Sequence, residues 1–281
     1  MSFLYMFLSA FLENFLYKEI NRQTNRNFQS SLMFLISAPI LFTMYLFIYG
    51  FNIDDFSFLY EWKFYLLSLL ELLVFYLYRE NYHQNSNNYT MINMFVFSTI
   101  YLMPLLAFFY NPIFNFNSSL DVKYDSFLEA LIFSITLFVL TLIYYVGKIK
   151  NKEIKNLKLL ILLLFILLNT MYFSVKTVQT YNGFLVYTFI QILIGFNFLV
   201  LSKKEEKSIE LKRFFLYFLW PFIYLLFFLA ASLIAVEFIA IFKRVSQLIS
   251  AMILDKKVIK KDAILIVSII FVTVIFYFYK V

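Results

Sequence analysis

The sequence predicts an all-α, polytopic membrane protein, and three observations carry that prediction. Hydrophobic residues make up 63% of the 281-residue chain and aromatics 22%, with a mean hydropathy of +0.80, well above the apolar share of a soluble domain. Apolar stretches of about twenty residues recur from end to end, each long enough to cross a hydrocarbon layer of roughly 30 Å as a helix. No alternating strand pattern of the kind a β-barrel needs is visible, which leaves helices as the structure whose backbone satisfies itself in lipid.

Setting the apolar runs against their polar breaks predicts ten spans, at 2–18, 31–50, 62–79, 91–110, 127–147, 157–175, 183–202, 213–229, 232–254 and 263–280. The first, MSFLYMFLSAFLENFLYK, has no basic leading region and no small-residue cleavage site, so it reads as a retained helix and not as a signal peptide. Between the fourth and fifth lies the longest polar insert, 110-YNPIFNFNSSLDVKYDS-126. The eighth and ninth are separated by length: the run Phe214 to Phe242 is 29 residues, too many for one span, and the small residues Ala230, Ala231 and Ser232 mark the turn. Pro39, Pro104 and Pro221 fall inside spans, where each removes a backbone hydrogen bond and is expected to kink its helix.

Charge sets the orientation. The first, third, fifth, seventh and ninth connections hold 18 of the 24 lysines and arginines, while Asp54, Asp55, Glu61, Asp121 and Asp125 gather in the even ones. Lys176 counts among the few cations of the even connections. By the positive-inside tendency the odd connections are cytoplasmic and both termini lie outside. The formal charge of +7 is thus spread over short loops as a topology signal, and no nucleic-acid partner is expected.

The chain has no cysteine and one histidine, His83, which excludes thiolate nucleophiles, disulfides and cysteine–histidine metal sites. Neither a cofactor nor a metal site is expected.

A repeat divides the chain into 1–147 and 148–281, each with five spans. In the first half 13-ENFLYK-18 closes a helix, and 171-MYFSVK-176 does the same before 181-YNGF-184. Likewise 62-WKFYLLSLLELLVFYLY-78 has a counterpart in 212-KRFFLYFLWPFIYLLFF-228. An odd number of spans per half makes the halves enter the membrane in opposite senses, the inverted-repeat plan of secondary transporters.

The stretch 239-IAIFKRVSQLISAMILDKKVIKKDAILIVSIIFVTVIFYFY-279, an apolar run closed by an acidic residue, Asp255, and a basic turn before the last span, resembles the drug/metabolite transporter superfamily in its ten-helix, EamA-like form. The segment 98-STIYLMPLLAFFYN-111 resembles the fourth helix of that family, with Pro104 at its usual proline; Asn111-Pro112 and the long insert replace the usual Gly-Glu. The pair Lys243-Arg244 is similar to the ninth-helix pair by which triose-phosphate and nucleotide-sugar transporters hold a substrate phosphate. Their partner lysine on the fourth helix has no counterpart between Met91 and Tyr110.

Ionisable residues inside spans are costly, about 2.5–3.5 kcal/mol each near the bilayer centre even on insertion scales, so they face a polar interior or pair with one another. Here they are Glu13, Glu71, Glu237, Lys243 and Arg244, with Glu129 near a helix end. Seven residues apart, Glu237 and Arg244 share one helix stripe. Arg244 offers a planar fork and Lys243 a point charge to a phosphate or carboxylate, while Glu13 and Glu71 suit a substrate cation or a coupling proton. Trp220, Tyr101, Tyr172 and Tyr224 are candidate cavity linings. The function expected is transport of a small anionic or zwitterionic metabolite across a bacterial-type inner membrane, without enzymatic activity, by a monomer or homodimer. The alternatives are a lipid-carrier flippase of the same superfamily, a glycosyl- or phosphotransferase using 53-IDDF-56, and a packing network of the same charges.

Overall fold

In the computed structural model, residues 1–21, 25–84, 96, 101–114, 120, 122, 124–146, 157–204, 211–254 and 260–280 are described. Every regular element among them is helical. The helices are α1 (Ser2–Asn21), α2 (Arg26–Tyr49), α3 (Trp62–Gln84), α4 (Met103–Phe114), α5 (Phe127–Val146), α6 (Leu157–Thr180), α7 (Gly183–Leu201), α8 (Leu211–Tyr217), α9 (Leu219–Ala231), α10 (Val236–Leu254) and α11 (Lys260–Lys280). A 3₁₀ segment, Ile53–Tyr60, joins α2 to α3.

Four helical segments among the described residues are both long and apolar enough to cross a bilayer: Arg26–Tyr49, Lys158–Thr180, Gly183–Leu201 and Phe214–Ala231. They mark the chain as a membrane protein. Helices α1, α3 and α10 have comparable length but carry Glu13, Glu71 and the pair Lys243-Arg244. The residues that make the bundle interesting are the same ones that dilute its apolar signal.

Several boundaries differ from the sequence expectation, each for a physical reason. The eighth predicted span is two helices with a break at Phe218. Pro221 has no N–H to give Tyr217, and its ring crowds that carbonyl, so the helix restarts at Leu219. Pro104 is the second residue of α4 as described, and residues 97–100 ahead of it lie outside the described residues. That helix continues through Asn111-Pro112 to Phe114, past the expected end at 110. Pro39 does lie inside an unbroken helix; Thr43 Oγ1 donates to its carbonyl at 2.8 Å. Helices α1 and α6 run beyond Lys18 and Lys176, so the two motifs expected to close helices lie within them. Most of 91–100, Asp121, Lys123 and the basic connections 147–156, 205–210 and 255–259, with Asp255, lie outside the described residues.

The helices pack as α2 along α7, α1 against both α9 and α10, α3 against α6, α4 against α5, and α11 against α5 and α10. At the α2–α7 contact Gly195 lets the backbones approach. A Cβ there would stand 2.8 Å from Leu35 Cγ and Cδ2 and 3.3 Å from Leu35 N. Small residues serve this purpose between helices in lipid. Gly195→Ala is therefore expected to destabilise the protein by about 2 kcal/mol through overpacking, read as a lower melting temperature, and adding Leu35→Ala should recover part of the loss.

Where five helices converge, an aromatic cluster fills the centre. Phe34 meets Phe75 edge-on with centroids 4.4 Å apart and Trp220 at 5.5 Å; Phe198 and Tyr17 lie 5.4 and 5.2 Å from Phe75. Edge-to-face pairs at such distances add to plain area burial. One turn along α3 from Phe75, the buried Arg79 stacks its guanidinium over Phe198 at 4.4 Å. This cluster is the packing against which the site is built.

Candidate functional site: a charged cavity at the centre of the bundle

Against the aromatic cluster, with Tyr17, Phe75 and Trp220 in its lining, lies a cavity of about 60 Å³. One water needs ~10–15 Å³ and a site enclosing a drug-sized ligand ~300–1,000 Å³; this one suits a few waters or one small molecule. Its walls come from α1, α3, α6, α7, α9 and α10.

Four of the five predicted site residues line it: Glu13, Glu71, Lys243 and Arg244. Lys243 Nζ lies 3.6 Å from Glu13 Oε2 and 5.1 Å from the ring centre of Phe227. The same Glu13 oxygen accepts from Gln247 Nε2 at 3.2 Å. Arg244, 2% exposed, uses Nη1 for both the Tyr78 hydroxyl, at 3.2 Å, and Gln247 Oε1. Its Nε and Nη2 make no hydrogen bond to any described residue.

Glu71 is reached from other helices. Ser174 Oγ on α6 and the Tyr187 hydroxyl on α7 both donate to its Oε1 at 2.8 Å. Its other oxygen, Oε2, has no hydrogen bond to a described residue. Beside it Tyr187 and Tyr224 pack with centroids 4.6 Å apart, and Trp220 sits 5.6 Å from Tyr224. The cavity thus brings a tyrosine-bonded acid, Glu71, and two bases, Lys243 and Arg244, into one lining, with Glu13 already engaged by Lys243.

Glu237 is the exception. It is 1% exposed but does not line the cavity. The shared stripe is real, yet two turns place it roughly 10 Å along the axis from Arg244, in the first turn of α10 beneath the segment that leads into α5. There it stands beside Tyr124, whose phenol is pushed far upward by burial and by the Glu237 carboxylate. Glu129 is also outside the cavity; one of its oxygens accepts from Asp125 N at 2.8 Å.

Of the four aromatic candidates, Trp220 and Tyr224 line the cavity. Tyr101 packs on Phe138 at 5.1 Å, and Tyr172 donates to Asn111 Oδ1 at 2.7 Å, both elsewhere. The acidic turn 53-IDDF-56 is occupied locally: Asp55 accepts from the Tyr45 hydroxyl at 2.9 Å, and Asn52 caps Asp54 N at 3.2 Å.

Sequence reasoning missed Tyr17, Tyr78, Ser174, Tyr187 and Gln247. Three of them carried a signal, since Tyr17 follows Glu13 by four residues, Tyr78 follows Glu71 by seven and Gln247 follows Lys243 by four, spacings that return to one helix face. It also placed Lys176 in a loop. In the structure Lys176 is fully buried within α6, 5.8 Å from the ring centre of Tyr172. Among the described residues no group of three or more acidic or histidine side chains is placed to hold a metal ion.

These features define a helical membrane protein with a small internal cavity bearing both signs of charge. No protein-family model, no curated protein and no solved structure matches the chain.

Proposed function

We propose that the chain is a secondary transporter of a small polar metabolite, working by alternating access, with ten spans arranged as inverted repeats 1–147 and 148–281 after the plan of the drug/metabolite transporter superfamily. The observation that carries the reading is the cavity: it gathers two acids and two bases, Glu13 and Arg244 buried and Glu71 and Lys243 partly so, on helices from both halves of the chain. Charges in lipid are retained where they mark a substrate or ion path, and repeat transporters place their site between the halves.

The packing supports the repeat. Number the spans one to ten, with α8 and α9 together as the eighth, and exchange each with the span five places on. The contact of α1 with α9 becomes that of α6 with α3, α4 with α5 becomes α10 with α11, and the pairs α2–α7 and α5–α11 map onto themselves; all these contacts are present. The small cavity speaks for a metabolite and against a lipid-carrier headgroup with its attached chain. The local bonding of Asp54 and Asp55 speaks against a catalytic acid pair there.

Two measurements test the proposal. A reporter that works only in the cytoplasm, fused after Val281, is expected to be silent, and activity there removes the ten-span layout or its orientation. Purified protein in liposomes preloaded with one metabolite is expected to accumulate its labelled form by exchange, faster than protein-free liposomes. A folded protein that exchanges none of a broad set of amino acids, organic acids and phosphorylated metabolites is not such a transporter.

A further inference from the structure

We infer that the occupant of the cavity is a small zwitterion, an amino-acid-like molecule whose ammonium group sits at Glu71 and whose anionic group sits at Arg244 and Lys243. This rests on reading the cavity as a substrate site and narrows it to one ligand chemistry.

Charge balance is the first reason. The lining holds two acids, Glu13 and Glu71, and two bases, Lys243 and Arg244. With all four groups ionised, a monoanion added to this set leaves one negative charge uncompensated in a low-dielectric interior, and a monocation leaves one positive; either arrangement is penalised by desolvation without a partner. A zwitterion adds no net charge and brings a partner for each sign.

The open hydrogen-bonding positions are the second. Lys243 has three donors and only Glu13 as a bonded partner among the described residues. Arg244 commits Nη1 and leaves Nε and Nη2, two adjacent donors spaced for a carboxylate or phosphate. Glu71 in turn commits Oε1 and leaves Oε2. The Tyr187 and Tyr224 rings beside it suit an ammonium through their π faces. Acceptor and donors line one cavity, so a single molecule must bear both complementary groups to use both.

Size is the third. At about 60 Å³, room for roughly four to six waters, the cavity suits a zwitterion as small as glycine or alanine and not a nucleotide-sugar.

The test is a melting-temperature screen of the purified full-length protein in detergent. Its probes are L-alanine, L-leucine, L-phenylalanine, γ-aminobutyrate and phosphoethanolamine, set against acetate, inorganic phosphate and methylammonium. At least one zwitterion is expected to raise the melting temperature by roughly 5 °C at saturating concentration, with none of the singly functional controls doing so. Glu71→Gln, which keeps an acceptor for Ser174 and Tyr187, and Arg244→Gln should each fold and each abolish the shift. A response to acetate or phosphate alone, or to methylammonium alone, overturns the zwitterion while leaving a transporter of another charge class. A zwitterion shift that survives in Glu71→Gln overturns the placement of the ammonium. No response to any probe from a folded protein overturns both the zwitterion and the cavity as a small-metabolite site.

Discussion

Replacing Lys243 with methionine is expected to destabilise the protein by about 3 kcal/mol, and adding Glu13→Gln to restore most of that loss. Glu13 and Lys243 are paired at 3.6 Å with side chains only 11% and 19% exposed. Removing one partner of such a pair strands the other charge, whereas removing both leaves two neutral groups and a smaller penalty. The single variant Glu13→Gln should be the milder one. Glutamine keeps an acceptor for Gln247, and Lys243, on its flexible stem, retains the Phe227 ring. Melting temperatures of the four proteins form a double-mutant cycle, and a coupling near zero would show that the pair does not hold α1 to α10.

The same cycle separates a packing network from a binding site. If the charges serve only to join helices, the restored double variant should behave as the wild type in every assay. Under the proposed function it should be stable and yet lose the response to ligand, because the cavity has lost Lys243. Stability and binding are thus expected to part company in one protein, an outcome that a purely structural role does not produce.

How much of this was legible in the sequence follows from where the free energy lies. Apolar span length is a local property imposed by the bilayer, so the all-helical membrane class was readable from it, and four of the described helices are long and apolar enough to span. Charges in the apolar segments were equally readable, since few positions in lipid tolerate them, and four of the five chosen residues meet in one cavity. Glu237 failed because a stripe fixes an angle around a helix and says nothing about which height the neighbours leave open. Lys176 failed for a related reason. At the edge of an apolar run a lysine looks like a loop residue, and only tertiary packing extends α6 by another turn and covers it. The bonds that orient the site, from Ser174 and Tyr187 to Glu71 and from Arg244 to Tyr78, join residues more than a hundred positions apart. Among 22 tyrosines, periodicity alone could not choose them.

Arg244→Lys is expected to keep the fold and the charge but to weaken ligand binding at least tenfold. The guanidinium does two jobs at once: Nη1 is tied to Tyr78 and Gln247, which fixes the plane of the group, and that plane directs Nε and Nη2 as a fork. A lysine ammonium at the end of a shorter-reaching stem supplies donors without a plane, so it can satisfy Tyr78 or the ligand's anionic group but cannot hold two parallel bonds to the latter. Loss of one charge-assisted bond is worth about 1.5–3 kcal/mol, which corresponds to roughly 10- to 150-fold in affinity. Stability should fall by no more than about 1 kcal/mol, because the buried positive charge is still present opposite Glu13 and Glu71. Tyr78→Phe provides the matching control: it leaves the fork intact and removes one of its two anchors, so it should weaken binding less than Arg244→Lys. The measurement is ligand titration followed by the shift in melting temperature, using the zwitterion that stabilises the wild type most. Affinity within twofold of wild type for Arg244→Lys would mean that the guanidinium braces α10 against α3 and never touches the ligand, and the anionic group would then belong to Lys243 alone.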